Sequence, residues 1–317
     1  MRSCPSLRAV AAALLLALPA AAAEPAAPDP AADAWEFEAF FYGWGIALNG
    51  DVSAGPVSAD VDVSFSEILD ALNLGAMGAL EARRGRLVFL VDGIWAELED
   101  DVDTGTRTRT LSRLPGDVVV TAGPLEVDTK LDQVLLDAKA GWRVLSRPVS
   151  DLWGAASGAS GNDDPRRFVV DLLAGFRYWY FKSETGVDLP AASVTVNGVP
   201  VDPGSLPDVD LGPIELPGVL LRGTHRSFDE SWDWVDPILG LHTRIDLTDR
   251  LFVGLLGDGG GFGIGSASHS TWQAVGLLGW KLSERWSLRA GYKAVAFDRD
   301  EIDLTFHGPV MAVGYRF

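Results

Sequence analysis

Only one cysteine occurs in the chain, Cys4, and it lies in an N-terminal segment expected to be removed. The chain that remains then has no thiol, which excludes disulfides, zinc–thiolate sites and cysteine nucleophiles. Basic residues are scarce, 26 against 44 acidic for a formal charge of −18. A phosphate backbone would be repelled, so nucleic acid is not an expected partner. Beyond the N-terminus no stretch approaches the roughly 20 uninterrupted apolar residues that a membrane helix requires, although 47% of the residues are hydrophobic. The apolar material is instead distributed through alternating segments.

The N-terminus carries Arg2 and Arg8, then a run from Ala9 to Ala23 interrupted only by Pro19. A short positive region, a short apolar core and the small residues Ala21-Ala22-Ala23 predict a secretory signal peptide over 1–23. Residues 24–34 read as an Ala/Pro-rich linker, and a single domain is expected over 35–317.

Within that domain a tetrapeptide of small residue, glycine, aromatic and basic residue recurs: Ala140-Gly141-Trp142-Arg143, Ala174-Gly175-Phe176-Arg177, Leu278-Gly279-Trp280-Lys281 and Ala290-Gly291-Tyr292-Lys293. A last copy, Val313-Gly314-Tyr315-Arg316, is followed by Phe317. In a strand the aromatic ring faces one side and the glycine and cation face the other. Each copy sits in a period-2 segment whose apolar face carries the ring. Rings outside and charges inside invert the pattern of a water-soluble sheet and match a barrel with a lipid-facing exterior and a polar interior. Expected strands run over 35–48, 74–83, 86–98, 128–143, 168–180, 232–247, 251–264, 271–282, 286–297 and 302–317. The fold class is therefore all-β, an antiparallel up-and-down transmembrane β-barrel of about ten strands, with eight to twelve compatible. Residues 168–180 make about twelve steps of ~3.3 Å, which tilted still cover an apolar band of ~25 Å.

Turns after the second, sixth and eighth strands are short, while 49–73, 99–127 and 183–221 are long, so the short turns belong to the periplasmic side. Phe65 to Leu72 has helical spacing behind a serine, predicting one short helix at the barrel mouth. The link 146–167 is long on the short-turn side, and its Gly/Ser/Ala/Asp content suggests a mobile insertion.

The inward face collects Glu36, Glu38, Glu81, Asp92, Asp137, Asp171, Asp236, Asp246 and Asp258 with Arg83, Arg86, Lys139, Arg143, Arg177, Arg244, Lys281, Arg289, Lys293 and Arg316. His242 is expected to join Asp236 and Arg244. Charges away from water must pair, and a barrel of this size is largely filled by side chains. A mostly closed, ion-paired lumen is expected.

Around Gly257-Asp258-Gly259-Gly260-Gly261-Phe262-Gly263-Ile264-Gly265-Ser266, Thr271-Trp272-Gln273, Gly291-Tyr292-Lys293 and Gly308-Pro309 to Phe317, the sequence resembles a group of uncharacterised Gram-negative outer-membrane β-barrel proteins. Asp62-Val63-Ser64-Phe65-Ser66 and Glu81-Ala82-Arg83-Arg84-Gly85 extend the likeness. The resemblance implies an outer-membrane location and a barrel; it supplies no reaction. The loops, 183–221 above all, are longer here than in that group.

The glycine run lacks a phosphate-loop ending. It reads either as a strand needing bends or as a side-chain-free outward strip, Gly257, Gly259, Gly261 and Gly263, for a lipid chain or a second barrel. Met311, Val313, Tyr315 and Phe317 form an outward C-terminal alternation, resembling the signal read by the barrel-assembly machinery. Of His225, His242, His269 and His307, only His269-Ser270 suggests a dyad, yet neighbours in a strand point apart. The acids Glu97, Glu99, Asp100, Asp101 and Asp103 do not match an EF-hand spacing. No cofactor, metal or catalytic residue is expected. Membrane lipid and lipopolysaccharide are the expected contacts of an outer-membrane protein with a structural or surface-interaction role. The alternatives are a narrow solute or ion channel, a lipid-directed hydrolase, and a soluble periplasmic β-sandwich.

Overall fold

The computed structural model describes residues 34–54, 57–103, 107–111, 118–122, 126–151, 165–189, 193–196, 198–201 and 224–317. The expected signal peptide and almost all of the expected linker lie outside them, as does 152–164 of the expected insertion. In chain order the strands are β1 (Glu36–Trp44), β2 (Ala47–Ala54), β3 (Val57–Val63), β4 (Leu72–Arg84), β5 (Leu87–Asp103), β6 (Arg107–Leu111), β7 (Val118–Ala122) and β8 (Glu126–Pro148). They continue with β9 (Arg167–Leu189), β10 (Ser193–Val196), β11 (Val199–Val201), β12 (Thr224–Asp246), β13 (Leu251–Gly261), β14 (Ser270–Lys281), β15 (Trp286–Arg299) and β16 (Ile302–Arg316). Helix α1 spans Phe65–Ala71.

Ten antiparallel wall strands close a barrel in the order β1–β4–β5–β8–β9–β12–β13–β14–β15–β16, the first being β1 continued by β2. Closure is carried by β16. Its C-terminal half pairs with β1 from Trp44 opposite Val310 to Glu38 opposite Arg316, and its N-terminal half pairs with β2. Two of the short turns use one local device. Thr248 Oγ1 accepts from the backbone N–H of Arg250 and Leu251, and Ser283 Oγ accepts from those of Arg285 and Trp286. A side-chain oxygen thus replaces a missing carbonyl partner.

The strand alternation sorts the side chains. On β9 Phe176 is 61% exposed and the next residue, Arg177, 0%. Leu239, Leu278, Met311 and Phe41 continue the exposed apolar belt around the wall. Trp142, Trp280, Trp286 and Phe317 ring its short-turn edge, and Trp95 and Tyr292 mark the opposite edge. Such a belt, flanked by aromatic rings, is the surface of a wall that meets hydrocarbon.

Three expectations change. The segments 99–127 and 183–221 are not plain loops: β5 runs on to Asp103, β8 starts at Glu126, β9 reaches Leu189 and β12 begins at Thr224. Residues β6, β7, β10 and β11 form a separate four-stranded sheet. These extensions escaped the period-2 pattern because water can wet both of their faces, so neither needs to be apolar. The β9–β12 ladder pairs from Ile245 opposite Phe168 to Thr224 opposite Leu189, about 70 Å at ~3.3 Å per residue, far more than a bilayer core. Second, the first wall strand breaks at Gly45–Ile46. Third, β13 ends at Gly261, whose φ is +84° and where an added Cβ would lie 2.5 Å from Ser268 O; Gly263, at φ +63°, sits in a turn. The outward strip therefore shrinks to Gly257 and Gly259.

The predicted helix forms as α1. Ser64 caps it: its Oγ accepts from Glu67 N at 3.4 Å while Glu67 Oε2 accepts from Ser64 N at 2.7 Å, the reciprocal capping box. The Ser64 hydroxyl hydrogen bond holds the exposed Glu67 carboxyl below the usual carboxylate range. Helix α1 packs on β2 and β5.

A wall strand is incompletely paired beneath it. The β1–β4 ladder stops at Phe41 opposite Gly78. Above that level β2 turns away to pair with β3, while Leu72 to Met77 of β4 keep only β5 as partner. The interruption begins at the upper aromatic edge, since Ala76 lies opposite Trp95.

Candidate functional site

Midway along the lumen four charges form a neutral, ion-paired cluster. Arg177 grips Asp137 with Nε and Nη2 at 2.8 and 3.0 Å and reaches Asp258 at 2.9 Å. Lys139 binds Asp137 at 2.9 Å and Asp258 at 2.8 Å. Gln273 Oε1 accepts from both cations, and Thr271 Oγ1 accepts from Arg177 while donating to Ala296 O. Four strands, β8, β9, β13 and β14, contribute to this cluster. Its side chains are buried, and Gln273 and Thr271 supply further acceptors to the desolvated cations.

Toward the short-turn end follow smaller sets. Asp171 takes Arg143 at 2.9 Å and His242 at 3.2 Å. Glu81 pairs with Arg83. Glu38 meets Arg289 at 3.0 Å and Arg316 at 3.9 Å, and Asp246 meets Arg244 at 3.1 Å and Lys281 at 3.8 Å. On the other side of the central cluster, Asp92 accepts from Lys293 and from Tyr42, each at 2.5 Å.

Two expected placements are corrected. His242 pairs with Asp171 rather than with Asp236, because on the β9–β12 ladder it stands opposite Asp171. Among the described residues no cation holds Asp236. Its Oδ2 accepts from Trp179 Nε1 at 3.0 Å, Trp234 Nε1 at 3.2 Å and Ser268 Oγ at 2.9 Å, and its Oδ1 from Ser268 N at 2.7 Å. Ser268 reaches this fully buried carboxylate from the loop between β13 and β14. Left-handed backbone at Gly261, Phe262, Gly263 and Gly265 turns that loop back into the barrel. The glycine run thus serves the seating of one serine, a role visible only once the loop is placed.

Two glycines of the recurring tetrapeptide have a packing reason. A Cβ at Gly279 would stand 2.1 Å from the Phe252 ring, and one at Gly314 would stand 2.6 Å from that of Phe40. The missing side chains admit rings to the interior. Arg244 then lies 3.8 Å from the Phe252 centroid and Arg289 3.9 Å from that of Phe40, so cations and rings stack in alternation.

Beyond Asp236 the interior becomes aromatic. Trp179, Trp234, Phe297 and Phe306 pack with Trp44, Ile94, Leu135, Val295 and Val310 as one buried cluster. Trp179 meets Phe297 edge-on at 4.8 Å and stacks on Trp234 at 5.8 Å. Sequence reasoning assigned none of these residues to a site. The long strands β9, β12, β15 and β16 supply them from inward positions that the alternation rule marks but does not distinguish from filler.

Two cavities flank these layers. One of 160 Å³ lies among Glu81, Arg83, Asp92, Lys139, His242, Arg289 and Lys293. The other, of 1220 Å³, opens above the aromatic layer, between α1 and the upper wall.

The remaining candidates are dispersed. His225 and His269 are exposed and pair with Asp188 and Asp298 at 3.5 and 3.7 Å. His307 lies on the outer face, hydrogen-bonded to Tyr292 Oη at 2.6 Å and to Asn49 Oδ1 at 2.5 Å. Glu97 is taken by Lys130 at 2.9 Å and Asn73 at 2.7 Å, which hold its carboxyl below the usual range. Glu99, Asp100 and Asp101, which follow it, lie along β5 rather than in one loop. Met311, Val313 and Phe317 are exposed on the outer face of β16 and its end.

No family model matches the chain, and no curated protein matches it in sequence. Solved structures match in fold. The outer membrane protease OmpT from Escherichia coli is 9% identical over 92% of this chain and 97% of its own, with a TM-score of 0.42. The translocator domain of autotransporter NalP from Neisseria meningitidis is 12% identical over 89% and 88%, at 0.33. Ail, the attachment invasion locus protein of Yersinia pestis, is 8% identical over 90% and 99%, at 0.29. At these identities the likeness concerns the fold alone.

Proposed function

We propose that the protein is an outer-membrane β-barrel of a Gram-negative bacterium, exported by its signal peptide, with a closed lumen and a structural or surface-interaction role. The supporting observation is the buried Asp137–Arg177–Asp258–Lys139 cluster, sealed on the long-loop side by the Trp179–Trp234–Phe297–Phe306 layer. A conducting path would have to break several charge-assisted hydrogen bonds in a site shielded from water. In this reading the short turns face the periplasm and the strand extensions project from the cell, where lipopolysaccharide and other surface molecules are the available contacts. Met311, Val313, Tyr315 and Phe317 serve recognition by the barrel-assembly machinery. No reaction is assigned.

Planar-bilayer recording of the purified protein tests the closed lumen. The expected trace has no stable open level of large-porin size. A steady open conductance would contradict the reading and support a narrow solute channel instead.

A further inference from the structure

We propose that the outer cavity binds an uncharged, largely apolar molecule with a single alkyl chain, which enters sideways from the membrane through the interruption between β1–β2 and β4. The inference rests on the reading of the lumen as closed below the aromatic layer, which makes the cavity a pocket with a floor. At 1220 Å³ it exceeds the roughly 300–1,000 Å³ typical of small-molecule sites. Its floor is formed by Trp44, Trp234, Phe297 and Phe306. An apolar space of this kind gives water few partners and takes up apolar guests readily.

The side entrance follows from the strand pairing. Both edges of the interruption line the cavity, Gly43 and Gly45 on one side and Gly75 and Met77 on the other. Gly43 stands opposite the outward Met311, so a Cβ there would lie on the lipid side of this edge, where it would meet no atom within 4 Å. Unpaired strand edges facing hydrocarbon are costly and persist where protein or a cavity covers them. Here α1 spans the gap, with the Phe65 ring 3.4 Å from where a Cβ of Gly45 would be. Phe65 and Leu69, one turn apart, present exposed apolar surface at the same place.

Charge selects the guest. Among the described residues the cavity's rim carries Glu67, Glu99, Asp100, Asp300 and Glu301 against one cation, Arg299. That guanidinium is already engaged, 4.4 Å from the Trp234 ring centroid and 3.5 Å from Asp300. An anionic amphiphile meets net repulsion, while a neutral chain does not.

The test uses the full chain in phosphatidylcholine vesicles with three photoreactive probes bearing a diazirine in the chain: a long-chain alcohol, the matching carboxylic acid ionised, and a phosphatidylcholine. After irradiation, adducts are mapped by mass spectrometry. The alcohol is expected to label the peptides holding Trp234 and Phe297. Gly43→Trp, which sets a ring at the lipid-side mouth of the entrance, should reduce that labelling by an order of magnitude and leave adducts at the lipid-facing Leu239 unchanged. Gly75→Leu, at the other edge, should act alike, and Gly257→Leu on another strand should not. Cavity adducts absent from the wild type would overturn the site. Adducts unaffected by Gly43→Trp and Gly75→Leu in folded protein would overturn side entry. Equal labelling by the acid would overturn charge selection, and labelling by the phosphatidylcholine would make bilayer lipid the occupant and overturn the single-chain assignment. Conductance recorded from the same vesicles reports separately on the closed lumen.

Discussion

Arg177→Ala is expected to destabilise the folded barrel by about 3–5 kcal/mol, the cost of leaving buried charges without their partner. Arg177 is 0% exposed and supplies hydrogen bonds to Asp137, Asp258, Thr271 and Gln273. Its loss leaves two carboxylates to one lysine in a space shielded from water. Removing Asp137 as well restores neutrality, since Lys139 and Asp258 remain paired at 2.8 Å. Arg177→Ala/Asp137→Ala should therefore cost clearly less than the sum of the single changes. Equilibrium unfolding in urea from lipid vesicles reads both quantities. A single-variant cost below about 1 kcal/mol, the range of exposed pairs, would mean that water reaches the cluster.

Asp236→Ala should cost about 3 kcal/mol or more by a different route. No cation is orphaned; instead the Trp179 indole N–H and the hydroxyl and backbone N–H of Ser268 lose a common acceptor, while the Trp234 indole keeps Ser268 Oγ at 2.8 Å. A buried donor left unsatisfied costs about 1–3 kcal/mol. Ser268→Ala removes only the hydroxyl, so its effect should be the smaller, near 1 kcal/mol. The two variants share a local signature: faster amide exchange over 262–269, the loop that Ser268 anchors. Unchanged exchange there in Asp236→Ala would show that the loop is held by other means.

Much of the wall was legible from alternation, because lipid on one side and packed charge on the other impose the same rule at every second residue. Phe176 and Arg177 illustrate it, and Asp137 could be named with Arg177 because both stand on neighbouring inward faces. Asp258 shares the cluster from two strands further on, and only the closed register brings it there. Asp236 was misassigned since its acidity suggests a cation, whereas its partner Ser268 arrives from a loop whose path depends on positive φ values. The strand extensions past the aromatic edge and the interruption beside β4 were also illegible. The first lack an apolar face, and the second is a missing pairing, which leaves no mark on composition. Ser64 and Glu67, by contrast, are a local signal, and the helix they cap is where the spacing puts it.

The direction in which two neighbouring sets of side chains point decides the account. The sequence holds no cysteine after Cys4, so single cysteines can be placed in the barrel and labelled with a nitroxide on a Cys4→Ser background. In vesicles, labels at Phe176→Cys and Leu239→Cys should collide with dissolved oxygen far more than with a water-soluble nickel chelate, as expected of sites in hydrocarbon. Labels at both positions more accessible to the nickel chelate than to oxygen would place the aromatic belt in water and contradict the assignment of the barrel to a membrane.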